Sequence, residues 1–85
     1  MASKPVCLVV GAGDALGGAI ARRFAREGYL TCVARRTADK LADLTAAIEK
    51  AGGTAAAYGC DARREEQVVA LFEQIEKEHG PIEVL

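Results

Sequence analysis

The chain has 85 residues, 51% of them apolar and 27% charged, with a formal net charge of −1. That size allows one domain at most and a thin stability margin, since so short a chain buries only about 60–65% of its unfolded surface. The composition excludes a disordered chain, and interleaved acids and bases exclude the one-sided basic face of a nucleic-acid binder. Cys7, Cys32 and Cys60 are widely spaced, with neither a CxxC pair nor metal-ligand spacing. They read as small buried hydrophobes in a reducing compartment, and no metal is expected. "MASKP" lacks the apolar core of a signal peptide, and no apolar run nears membrane-spanning length. A cytoplasmic protein with no membrane partner is the expectation.

In chain order, Val6 to Val10 is a continuous apolar run, as in a parallel strand covered on both faces. A glycine-rich turn follows, after which Leu16, Ile20 and Phe24 recur at helical spacing with Ala19 beside them. Gly28 is placed to end that helix. Residues 30–34 read as a second strand. Thr37 reads as the N-cap, with Asp39 in the first turn, of a helix whose apolar face is Leu41, Leu44 and Ile48. Gly52-Gly53 stops it, and a weaker, alanine-rich strand spans residues 54–58. A third helix carries Val68, Leu71, Phe72 and Ile75, and Gly80-Pro81 terminates it. Residues 82–85 begin a fourth strand.

Strand and helix alternate with short connections, which implies right-handed βαβ units and a parallel sheet. The expected fold is α/β, a doubly wound parallel sheet in the incomplete form βαβαβαβ. The strand order is 3-2-1-4, and ligands bind at the carboxyl ends of the strands. A short fourth strand beside an apolar first strand leaves part of one sheet face uncovered.

Gly11-Ala12-Gly13-Asp14-Ala15-Leu16-Gly17 sits where a phosphate-binding turn belongs. Gly11 would let the chain leave the strand tightly, and Gly13 would let backbone N–H groups approach a pyrophosphate. Gly17 would let the helix pack closely on the sheet. The positive end of the helix would face the anion. The glycines alone leave phosphate binding and a purely steric role both open. Asp14 could cap the helix or lie near the phosphates, and the helix dipole favours the cap. After the second strand an acid selects NAD and a base selects NADP. Here the chain reads Ala34-Arg35-Arg36, and an arginine fork can grip a phosphate from two sides. The bland alternative is a pair of solvated loop charges.

These residues resemble the N-terminal half of the short-chain dehydrogenase/reductase family, whose turn reads TGxxxGxG. Gly11 and Gly17 match the first and last glycines, Val10 replaces the threonine and Ala15 replaces the middle glycine. "AIARRFAREGY" is similar to the family's first helix. The resemblance continues through "ARR" and "CDA" to "PIEVL", which is similar to the run into the family's fourth strand. It implies a Rossmann-type dinucleotide-binding half-domain over residues 1–85, the N-terminal part of a larger enzyme, with NADP(H) as cofactor. It also implies cofactor contacts at Gly11, Gly13, Asp14, Ala15, Leu16 and Gly17. Ala34 stands where NAD-type members carry Asp, and Arg35 follows as in NADP-type members, with Arg36 beside it. Asp61 would accept a hydrogen bond from the adenine amino group, with the Ala62 N–H near the ring. An N-cap for the third helix is the other reading of Asp61, and the two roles are compatible.

Family members transfer hydride between the nicotinamide and a carbonyl or alcohol, using a tyrosine, a lysine four residues later and a serine. Four residues after Tyr29 stands Val33, and four after Tyr58 stands Ala62, so both tyrosines read as structural and no catalytic residue is expected. His79 is placed to meet the dipole at the end of the third helix. Two functional readings follow. One is the NADP(H)-binding part of such an oxidoreductase, whose substrate belongs to the longer chain. The other is a non-catalytic nucleotide-binding or interaction module that completes its sheet with a partner or a second copy, as a homo-oligomer.

Overall fold

The computed structural model describes residues 4–11 and 15–85. Strand β1 (Val6–Val10) leads to helix α1 (Ala15–Arg26) and then to β2 (Leu30–Arg35). A 3-10 turn over Ala38–Leu41 precedes α2 (Ala42–Lys50), and β3 (Thr54–Gly59), α3 (Glu65–His79) and β4 (Ile82–Val84) follow. The strands form one four-stranded parallel sheet in the order β3-β2-β1-β4. This is the doubly wound arrangement that the alternation of elements implies.

Strands β1 and β2 occupy the middle of the sheet and are covered on both faces, which is why their sequences are continuous apolar runs. Val6, Leu8, Cys32 and Ala34 meet Leu71 and Ile75 of α3 on one face. Val33 meets Ala21, Leu41, Leu44 and Ile48 on the other. The three cysteines are free thiols buried within this packing. Burial pushes the Cys32 thiol up to about 11, with smaller contributions from Cys7 and Glu78.

Two local expectations are corrected. Thr37 stands before the 3-10 turn but makes no side-chain cap bond, and the regular helix begins only at Ala42. A 3-10 turn winds more tightly than an α-helix, and here it delivers Leu41 into the core beside Leu44 and Ile48. Along α1, the Leu16–Ile20–Phe24 stripe is not the face that packs on α2. Gly18 and Ala21 are buried, whereas Leu16 is 72% and Ile20 40% exposed. The reason is steric: small residues let α1 come close, and a Cβ at Gly18 would sit 3.8 Å from Leu44 Cδ1. Ile20 and Phe24 instead line an apolar groove of about 350 Å³ with Leu8, Val10, Val84 and Leu85. That groove is the uncovered part of the sheet face.

Helix α1 ends where expected, at Gly28 with φ 96°, and the Tyr29 N–H donates back to the Phe24 carbonyl at 3.1 Å. The Phe24 and Tyr29 rings then meet edge to face, with centroids 5.2 Å apart. At the other end of the chain, Tyr58 Oη donates to Glu78 Oε1 at 2.8 Å and lies 3.0 Å from His79 Nε2. These contacts tie β3 to the last turn of α3. With the phenol proton donated to Glu78, the phenol oxygen is free to accept from the tautomer of His79 that carries its proton on Nε2. Burial first, and then the bond to Glu78, raise the Tyr58 pKa.

Gly53 is tightly enclosed. A Cβ there would lie 2.9 Å from Ile48 Cγ2, 3.2 Å from the Ile48 carbonyl and 3.3 Å from Ala25 Cβ. Ile48 is buried and branched at Cβ, so it cannot swing aside. Gly53→Ala should therefore destabilise the fold by about 1–3 kcal/mol in urea denaturation. Gly18→Ala meets only ordinary contacts inside a helix, and should be neutral or stabilise by up to about 1 kcal/mol. Equal effects at the two positions would contradict the packing described. For Tyr58, the folded pKa lies above the unfolded value of about 10. Its contribution is thus complete below about pH 10 and is lost as pH rises from there toward the folded value. Tyr58→Phe should flatten the decline of the urea midpoint above about pH 10. An unchanged decline would show that the phenol carries none of it.

Candidate functional site

Three strand ends are brought level by the sheet register. Val10 pairs with Ala34, and Ala34 with Tyr58. One step further, the Gly11 N–H donates to the Ala34 carbonyl at 2.8 Å, and the Cys60 N–H donates to the Arg35 carbonyl at 3.0 Å. Gly11 has φ 85°, a left-handed conformation that only glycine adopts cheaply, so the chain leaves β1 abruptly as expected. The exits of β1, β2 and β3 enclose one cavity of about 500 Å³.

Of the residues singled out by sequence, Gly11, Arg35, Arg36, Asp61 and Ala62 line this cavity together. Arg35 is the last residue of β2, one position later than the strand was expected to end. Ala15, Leu16 and Gly17 form the first turn of α1, and of these Leu16 and Gly17 stand away from the described lining of the cavity. Gly13 and Asp14 lie outside the described residues, so the cap expected from Asp14 lies there too. Val10, Thr37, Cys60 and Arg63 also line it. Burial, and then the charge of Asp61, push the Cys60 thiol up. It therefore stays protonated near neutral pH and acts as a packing residue.

Asp61 does not cap α3, which begins four residues later with no side-chain cap bond. Its carboxylate instead closes a local turn, because aspartate readily bonds the backbone two residues on. Oδ1 accepts from the Arg63 N–H at 3.1 Å and from Arg63 Nε at 3.0 Å, and Oδ2 accepts from Nη2 at 3.1 Å. The backbone is pinned as well. The Asp61 N–H donates to Gln67 Oε1 at 2.8 Å, and the Asp61 carbonyl accepts from the Arg64 N–H at 3.0 Å. Side-chain bonds from Arg63 are the main reason that the Asp61 pKa is held down to about 2. The Arg63 N–H and the charges of Arg63 and Arg36 add to the effect.

Among the described residues the cavity thus presents three guanidiniums and one ionised carboxylate. It can hold an anion beside a group that donates a hydrogen bond, and among the described residues it has no nucleophile paired with a base. Arg63 and Thr37 are the residues that sequence reasoning missed. Arg63 was detectable as a cation two positions after an aspartate at a strand end, where such a turn places it. Thr37 was read only as a cap.

A family model described as short chain dehydrogenase matches residues 5–85. A 3beta-hydroxysteroid dehydrogenase of Mediterraneibacter gnavus is 35% identical over 81 residues, covering 95% of this chain and 29% of that protein. The short-chain reductase protein NovJ of Streptomyces niveus is 38% identical over 85 residues, covering 100% of this chain and 32% of that protein. Among solved structures, a metagenomic short-chain oxidoreductase in complex with NADP matches with a TM-score of 0.94 at 31% identity. That match covers 98% of this chain and 38% of the other. The chain spans about a third of the length of the curated relatives it matches. A level set of strand ends, a left-handed glycine after β1 and a profile match along nearly the whole chain agree, and the chain belongs to the short-chain dehydrogenase/reductase family.

Proposed function

We propose that residues 1–85 form the adenosine- and pyrophosphate-binding half-domain of an NADP(H)-dependent short-chain dehydrogenase/reductase, at the start of a longer enzyme. The observation that carries this reading is the convergence of Gly11, Arg35, Arg36, Asp61 and Ala62 on one cavity. The donor set fits the cofactor. Arg35 and Arg36 supply forked cations for a ribose phosphate, as a 2′-phosphate requires. Asp61 supplies an acceptor for the adenine amino group. The Ala62 N–H, without an acceptor among the described residues, supplies a donor for a ring nitrogen. The turn with Gly13, Asp14, Ala15, Leu16 and Gly17 would hold the pyrophosphate against the start of α1. A solved relative in complex with NADP supports the choice of cofactor.

The bound cofactor would supply a hydride acceptor or donor. The residues of this chain bind and orient it, and in the longer enzyme hydride would pass between it and a carbonyl or alcohol substrate. Proton transfer falls to residues outside this stretch, because Tyr58 is committed to Glu78 and neither tyrosine has a lysine four positions on. No helix among the described residues is long and apolar enough to cross a membrane, and the free buried thiols suit a reducing cytoplasm. The apolar groove beside β4 favours one alternative, a non-catalytic nucleotide-binding module whose sheet is completed by a second copy.

Titration with NADPH, followed by its fluorescence, tests the reading directly. The protein should bind NADPH in preference to NADH, and Arg35→Asp should weaken NADPH binding by about 10–100-fold with little change for NADH. Equal losses for both cofactors would remove the phosphate role from Arg35. No binding of either cofactor would overturn the dinucleotide reading. A cellular mass well above that of these 85 residues favours the enzyme, and a concentration-dependent dimer at that mass favours the module.

A further inference from the structure

Arg63 is 74% exposed in its side chain, while the Asp61 side chain that it grips is 16% exposed. An arginine so placed contributes little to the core, so its geometry calls for another account. An ionised carboxylate offers about four acceptor positions. Arg63 fills three of those on Asp61, two on Oδ1 and one on Oδ2. One position is left, on Oδ2. Its orientation is fixed because the fork is planar and the backbone on either side is pinned by Gln67 and Arg64. Next to it stands Ala62, which brings a backbone donor to the same cavity.

We propose that Arg63 is a positioning residue, whose fork holds the Asp61 carboxylate so that its one remaining acceptor position reads the amino group of an adenine. This inference rests on the dinucleotide reading above. An acceptor beside a donor complements adenine, which offers an amino donor beside a ring-nitrogen acceptor. Hypoxanthine reverses both, with an oxo group beside an N–H. A loose carboxylate would rotate away from the oxo group at little cost, whereas a clamped one cannot. Arg63 thereby turns a general acceptor into a base-selective one. It acts through Asp61 and does not join Arg35 and Arg36 as a third phosphate ligand.

The test compares NADPH with deamino-NADPH, which carries hypoxanthine in place of adenine, by fluorescence titration of the wild type, Arg63→Gln and Arg63→Lys. Circular dichroism checks that each variant is folded. The wild type should prefer NADPH by about a hundredfold. Arg63→Gln should cut that preference by about tenfold. Arg63→Lys keeps the charge but lacks the fork, and should cut it similarly. A preference unchanged in Arg63→Gln overturns the proposal. So does an equal loss of affinity for both ligands, which would make Arg63 a phosphate-binding cation. Preference retained in Arg63→Lys would show that charge alone suffices and would likewise overturn the fork. A wild type that binds both ligands equally removes the base-reading role while leaving the dinucleotide reading intact. A wild type that binds neither sinks both.

Discussion

Every group at the candidate site hangs from the end of a hydrogen-bond ladder, and the register of that ladder decides where it hangs. From Val6↔Leu30 to Val10↔Ala34, and from Leu30↔Thr54 to Arg35↔Gly59, β1, β2 and β3 run in step without a bulge. A slip of one residue between parallel strands would turn every side chain to the opposite face. Val33 would then leave the α1–α2 side, and Cys32 and Ala34 would leave the α3 side. The two-sided core therefore fixes the register, and the register brings Gly11, Arg35 and Asp61 to a common rim. Burial that stabilises the fold and geometry that shapes the cavity have one origin.

Much of this was legible in the sequence, and for identifiable reasons. Runs such as VCLVV announce a strand covered on both faces, and alternation with helical periods forces parallel pairing, so the strand order could be stated beforehand. The positions of Gly11 and Gly28 could be read because each marks a backbone conformation that other residues pay to adopt. Misreadings occurred where side-chain size outweighed periodicity. Leu16, Ile20 and Phe24 form the more apolar stripe of α1, yet glycine and alanine face α2 because the helices can approach closely only there. At the site, Asp61 and Ala62 were accessible from their place after a strand. Arg63 is signalled only by its place two positions after that aspartate, and its three bonds to the carboxylate depend on how a short loop folds back on itself.

The groove between α1 and β4 is the other half of that misreading. The stripe that periodicity identifies is apolar in earnest, but the described residues leave it facing outward together with Leu85. Strand β4 pairs with β1 over only a few residues and shifts register between Val6 and Cys7. Thin pairing and an open apolar face occur on the same side of the sheet. The opposite side, toward β3, is closed by α2, by the Lys4–Thr54 hydrogen bond and by the contacts of Tyr58 with α3. Stability is accordingly uneven across the molecule, strongest where β1, β2 and β3 meet and weakest along β4.

The clamp between Arg63 and Asp61 has a consequence for how a ligand arrives. The chain as a whole is slightly acidic, with a net charge of −1, yet among the described residues the cavity rim holds three arginines against one aspartate. The remaining surface must then be more acidic than the total suggests, which makes the molecule electrically polar. An approaching anion is drawn to the arginines at the carboxyl end of the sheet, within a range of about 8 Å at physiological ionic strength. Added salt should slow capture more than it hastens escape, because screening weakens long-range guidance before it weakens close contacts. The arginines at the rim thus select the direction of approach before Arg35 or Arg36 touches the ligand.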